Sequence, residues 1–137
     1  MGLDEARVQS FLATKEVVVL ATVQATGAPL AMPMWFLHDP TDLTMISVAD
    51  TQKVHNIRRD GRVCVVAEAV GAAGDIRGVT VQGRAELLGD SPERRERIGR
   101  FHAKYRGLER LWGGKAMPAN RVMFRIVPSR VRSWGLG

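Results

Sequence analysis

Apolar and polar positions fall into six short runs rich in β-branched and apolar residues, and two further stretches break that pattern with the longer period of a helix. The short runs are "VVVLATV" (17–23), "LAMPMWFLH" (30–38), "LTMISVA" (43–49), "RVCVVAEAV" (62–70), "VTVQGRAELL" (79–88) and "RVMFRIVPSRVRSW" (121–134). Such residues suit a pleated, half-buried surface. The turns "QATGAP" and "DPTD" join the first three runs, which therefore read as an antiparallel meander. Six strands of this kind predict a small barrel. "LDEARVQSFLAT" (3–14) places Leu3, Val8, Phe11 and Leu12 at helical spacings, with Asp4 and Glu5 toward the start, and predicts a helix that packs on one face.

A longer helix is expected over 90–112. Asp90 stands three residues before Glu93, as in a capping box, and Pro92 falls in the first turn, where proline is tolerated. Ile98, Phe101, Tyr105, Leu108 and Trp112 line one face, and Arg94, Arg95, Arg97, Arg100 and Lys104 take the rest. The apolar stripe reads as core and the arginines as a solvated face.

Composition bounds the class. The 137 residues suffice for a single domain spanning 1–137, with 45% hydrophobic and 25% charged residues, the balance of a soluble globular protein. No apolar stretch approaches the roughly 20 residues of a bilayer-spanning helix, and the N-terminus lacks a signal-peptide pattern, so a cytoplasmic protein without membrane partners is expected. The net charge of +6 favours an anionic partner without choosing one. Nucleic acid is not the expected partner, because no stacking aromatics alternate with the basic residues.

Familiar chemistries fail on spacing. His38, His55 and His102 are dispersed, so no metal site is expected. The single cysteine, Cys64, sits in an apolar strand and reads as a buried small apolar residue rather than a nucleophile. "GAAGDIRG" and "GGKAM" miss the dinucleotide and phosphate-loop patterns and read as turns. No side-chain nucleophile is in evidence, so the reactive group of an enzyme here is expected to be a bound cofactor.

"ADTQKVHNIRRD" (49–60) supplies a place for one. A strand end runs into a short cationic helix. With Thr51 as cap, the first helical N–H groups, the positive end of the helix dipole and the Lys53 ammonium converge, which makes an anion site. The plain alternative is a strand-to-helix connection with an incidental surface lysine.

The order of elements from Val17 to about Leu88 resembles the flavin-binding split β-barrel family related to pyridoxamine 5'-phosphate oxidase, and within it the flavin/deazaflavin oxidoreductases. The K-x-x-N-[IL]-R-R-D run at Lys53–Asp60 carries the resemblance most specifically, and G-R-A-E-L at Gly83–Leu87 supports it. The fold implied is mainly β with helices, a six-stranded antiparallel split barrel with flanking helices. The resemblance also implies a homodimer whose cofactor, coenzyme F420 or FMN, lies in a cleft at the subunit interface. Its phosphate is expected at Ser47, Val48, Ala49, Thr51 and Lys53, with Asn56 in the same motif. Its ring is expected along Pro33, Met34 and Trp35, with Val79 and Gln82 near the ring edge. Met34 and Trp35 also fit plain core or dimer contacts.

The sequence ends with "VRSWGLG", without the arginine-bearing C-terminal segment of pyridoxamine phosphate oxidase proper, so vitamin B6 oxidation is not the expected activity. The expected activity is hydride transfer between coenzyme F420 and a small unsaturated organic substrate, with no catalytic side chain named. F420 is preferred because its anionic tail suits the arginine excess. FMN is the alternative cofactor, and a non-catalytic flavin or haem carrier is the alternative role.

Overall fold

The computed structural model describes residues 2–137. Its elements in chain order are α1 (Ala6–Ala13), β1 (Val18–Val23), β2 (Pro29–Met34), β3 (Leu37–His38), β4 (Leu43–Val48), α2 (Gln52–Arg59), β5 (Arg62–Val70), β6 (Ile76–Leu88), α3 (Pro92–Lys104), α4 (Leu108–Trp112) and β7 (Arg121–Trp134). The strands form one antiparallel sheet in the order β2-β1-β5-β6-β7-β4-β3. The sheet curls into a half-barrel, as expected for a split barrel.

There are seven strands, not the six expected from sequence, because the run 30–38 divides. Residues 29–34 pair with β1, whereas Leu37 and His38 pair with β4. The chain crosses from one edge of the sheet to the other at Trp35 and Phe36, so the first three runs are two hairpins rather than a meander. Continuous apolarity hid the crossing, since a strand that changes partners keeps its composition.

The 90–112 helix also divides. Ser91 is its cap, accepting the Arg94 N–H at 3.0 Å, and Asp90 instead pairs with Arg95. The first helix ends at Lys104, and α4 begins at Leu108. In α1 the acidic residues precede the helix, Glu5 being its N-cap.

Alternation along the strands sorts side chains to two faces. Leu20, Phe36, Leu43, Met45, Phe124 and Ile126 are fully buried within the curl. A second cluster of Leu37, Leu88, Phe101, Tyr105, Leu108 and Met123 lies beneath α3 and α4, so Phe101, Tyr105 and Leu108 of the apolar stripe are core, while Ile98 and Trp112 are only partly buried against it. Gly83, from the G-R-A-E-L motif, sits at a register shift between β6 and β7. A β-carbon there would meet the Val127 carbonyl oxygen at 2.2 Å, so this motif position serves close strand packing.

The arginines of α3 do not simply face water. Arg97 is buried and donates to Asp42 Oδ2 at 3.2 Å and to Thr44, with Glu93 also 3.2 Å away. Arg100 bonds to Asp39 at 3.1 Å. These pairs clamp α3 to the sheet and thereby set where Phe101 and α4 stand.

Candidate functional site

One cleft of about 390 Å³ lies where β2, β4, α2 and the α3–α4 segment meet, a size within the range of small-molecule sites. Its lining brings together seven of the residues singled out from sequence: Pro33, Met34, Trp35, Ser47, Val48, Thr51 and Lys53. The other four lie elsewhere. Ala49 gives its N–H to the Asn120 carbonyl at 2.8 Å. Asn56 is fully buried, donating to Thr22 Oγ1 at 3.0 Å and accepting from Gln52 at 2.8 Å, so it ties α2 to β1. Val79 is in the barrel core, and Gln82 is exposed between Cys64 and Arg130 on the sheet's outer face.

The polar end of the cleft follows from local chain geometry. Thr51 is the N-cap of α2 by position, but its side chain makes no cap hydrogen bond; the hydroxyl donates to the Val48 carbonyl at 3.0 Å and lies 3.4 Å from Ser47 Oγ. The first-turn N–H groups of α2 thus have no side-chain acceptor, and with the helix dipole they offer a site for an anion. Lys53 is half-buried in the same turn, and it has no hydrogen-bond or ion-pair partner among the described residues. Burial lowers its pKa from the usual 10.5, since an ammonium short of water and of a counter-charge is disfavoured. Arg121, opposite Val48 on β7, adds a second cation to the lining. Uncapped amides and an unpartnered, half-buried lysine fit a phosphate group.

The wall along β2 is flat and held in place. β2 is an edge strand, where Pro33 is tolerated. Trp35, 39% exposed, stacks on Tyr105 with ring centroids 4.3 Å apart and planes 8° from parallel. The Tyr105 hydroxyl accepts the Phe36 N–H at 2.9 Å and donates to the Glu16 carbonyl at 2.7 Å. Burial pushes this phenol up to about 12, so it keeps its proton. Lys104 bonds to the Phe36 carbonyl at 2.9 Å and sits 3.7 Å from the Phe36 ring centroid; burial brings its ammonium down to about 8. The turn between β2 and β3 is therefore fixed from both sides, and the stacked Trp35 is held in the cleft lining.

Sequence reasoning missed Ile46, Phe101, Leu108, Leu111, Trp112 and Arg121. Phe101, Leu108 and Trp112 were legible only as a core stripe, and Arg121 reaches the site through β4–β7 pairing, which leaves no local signal. Of the α3 arginines counted in the charge excess, Arg95, Arg97 and Arg100 are committed to Asp39, Asp42, Asp90, Glu93 and Glu96, and Arg94 reaches the Leu88 carbonyl. His55 pairs with Asp50 at 2.9 Å and His38 with Gln9 at 2.7 Å, and no group of metal-binding side chains occurs among the described residues. Cys64 is half-buried on the sheet's outer face, less enclosed than expected. No helix among the described residues is long and apolar enough to cross a membrane.

A curled antiparallel half-barrel with a cationic cleft beside it defines a protein of the split-barrel fold. The sequence profile of the pyridoxamine 5'-phosphate oxidase family matches residues 4–135, and the chain belongs to that family. No curated protein sequence matches it. Among solved structures it is similar to the conserved hypothetical protein Rv2991 from Mycobacterium tuberculosis, with 29% identity and a TM-score of 0.78 over 96% of this chain and 84% of that one. It shares its fold with a FAD-binding protein from Mesorhizobium loti, at 23% identity, TM-score 0.74, covering 90% and 86% of the two chains. It also shares it with HutZ, the haem storage protein of Vibrio cholerae, at 16% identity, TM-score 0.77, covering 96% and 94%.

Proposed function

We propose that this chain is an oxidoreductase that binds coenzyme F420, with FMN as the alternative, and reduces a small unsaturated organic substrate. The observation that carries the reading is the pairing, in one cleft, of an unpartnered lysine on an uncapped helix with a flat wall at Pro33–Trp35. Lys53 and the α2 amides hold the phosphate, with Ser47, Val48, Ala49 and Thr51 forming the surrounding strand end. Pro33, Met34 and Trp35 lie along the ring; Asn56 acts one step back by fixing α2. Gln82, exposed on the outer sheet face, comes near the ring edge only if a second subunit completes the cleft, whereas Val79 is enclosed in the barrel core and acts only by packing.

When bound, such a cofactor supplies two-electron hydride chemistry. The protein orients, excludes water and neutralises the phosphate, and the cleft lining has no carboxylate, histidine or cysteine among the described residues, so the proton for the reduced substrate comes from solvent. A homodimer is part of the proposal. Its support is the outer sheet face, where Val19, Ala31, Pro33, Cys64 and Val66 form an apolar strip across β2, β1 and β5; pairing through it buries the strip and walls the cleft.

A lining without carboxylate, histidine or cysteine among the described residues also fits a second reading, a non-catalytic carrier of flavin or haem; haem storage is the role that the name of HutZ gives for that protein. Turnover separates the two. The proposed enzyme oxidises reduced cofactor when an enone or quinone is added, whereas a carrier binds without turnover. The cofactor preference is read from affinity for F420 of increasing tail length at low and high salt. Affinity rising with each glutamate, and less steeply in salt, supports F420; tighter binding of FMN with no tail dependence replaces it with FMN.

A further inference from the structure

The cleft lining is of two chemical kinds, and the reading of its cationic residues as a phosphate site leaves the apolar ones to be explained. These are Ile46, Phe101, Leu108, Leu111 and Trp112, three of them on α4. Resting on the cofactor reading above, we infer that α4 is the substrate wall of the cleft, and that it selects an uncharged, planar, apolar acceptor, with Leu111 as the specificity-determining side chain.

The wall is built in advance. Leu108 is 3% exposed and anchors α4 in the cluster with Phe101 and Tyr105, while Leu111, three residues on and thus on a neighbouring part of the same helix face, is 65% exposed at the cleft. Gly113 closes α4 in the left-handed conformation at φ +73°, and Gly114 follows at φ +157°, a sequence of angles open to glycine and strained for other residues. Trp112 meets His102 edge-on, with centroids 5.2 Å apart, and His102 Nε2 is hydrogen-bonded to the Lys115 carbonyl at 2.9 Å. The turn after α4 is therefore tied to α3, which fixes Leu108, Trp112 and the backbone that carries Leu111 without a ligand.

Charge decides the occupant. With a phosphate already using Lys53 and Arg121, an anionic acceptor placed against α4 would lose water and meet no further cation in the lining among the described residues, which is costly. A neutral conjugated acceptor loses only apolar hydration, a favourable step. In the reaction its C=C or C=O gains a hydride from the reduced cofactor and a proton from solvent, and the cofactor leaves oxidised by two electrons.

The test is binding of 2-naphthol, neutral at pH 7, to the cofactor-free protein, followed by tryptophan fluorescence in wild type, Leu111→Asp and Leu111→Met. Leu111→Asp should weaken the probe about tenfold, the scale of losing most of one leucine contact, and Leu111→Met should hold it within about twofold. Cofactor titration of the same samples reads the phosphate site separately. If wild type takes no cofactor, the cofactor reading fails, and the naphthol result still reports on the wall. Unchanged naphthol affinity in Leu111→Asp overturns the inference. So does loss of the probe that tracks a changed sedimentation coefficient, because α4 would then be a subunit contact.

Discussion

Replacing Lys53 by alanine should weaken cofactor binding about 10- to 100-fold while leaving the fold intact. A hydrogen bond to a charged group contributes about 1.5–3 kcal/mol, and each 1.4 kcal/mol is about tenfold in affinity. Lys53 makes no hydrogen bond or ion pair among the described residues, and burial already lowers its pKa, so its removal costs little in folding. The uncapped α2 amides retain part of the phosphate site, which is why the loss is partial. The same residue sets a pH dependence. A bound phosphate favours the ammonium and raises its pKa, so binding is strong at neutral pH and declines as pH rises through the free protein's Lys53 pKa, below the ordinary 10.5. That alkaline decline should vanish in Lys53→Ala. Fluorescence titration across pH measures both effects; wild-type affinity in a folded Lys53→Ala protein contradicts the assignment.

The second large effect is on stability. Asp42 and Arg97 have side chains only 5% and 9% exposed and lie 3.2 Å apart. Burial raises the Asp42 pKa while the Arg97 hydrogen bond lowers it, burial being the larger influence, so the pair is not a strong source of stability in itself. Removing one partner is a different matter. Asp42→Ala strands the Arg97 guanidinium with only the half-exposed Glu93 and the Thr44 hydroxyl, and breaking such a pair costs about 3–5 kcal/mol. Because Glu93 remains, the lower end of that range is expected. The double variant Asp42→Leu/Arg97→Met removes both charges and should recover most of the loss. Urea unfolding of the three proteins tests this through the midpoint at constant m-value; equal losses in single and double variants would show that packing, not the stranded charge, is responsible.

How much of this was legible beforehand depended on whether the signal was local. The strands were visible because β-branched runs state their own conformation, and the Thr51–Lys53 junction because a strand end and a helix start adjoin in sequence. The crossing at Trp35–Phe36 was not, since the residues are equally apolar on either side of it. Arg97 read as a solvated face because helical period assigns it to the polar side, whereas its partner Asp42 lies in a distant turn. Arg121 and the α4 side chains enter the cleft only through tertiary packing. Cap identity at Ser91 rather than Asp90 turned on a single residue's geometry, which spacing does not resolve.

The most direct measurement is equilibrium binding of coenzyme F420 and of FMN to the wild-type protein, with and without inorganic phosphate. Saturable binding of at least one of them is expected, one per chain, weakened by phosphate competing for Lys53 in the cleft. Failure of both to bind saturably, or binding that phosphate leaves unchanged, would contradict the cofactor reading.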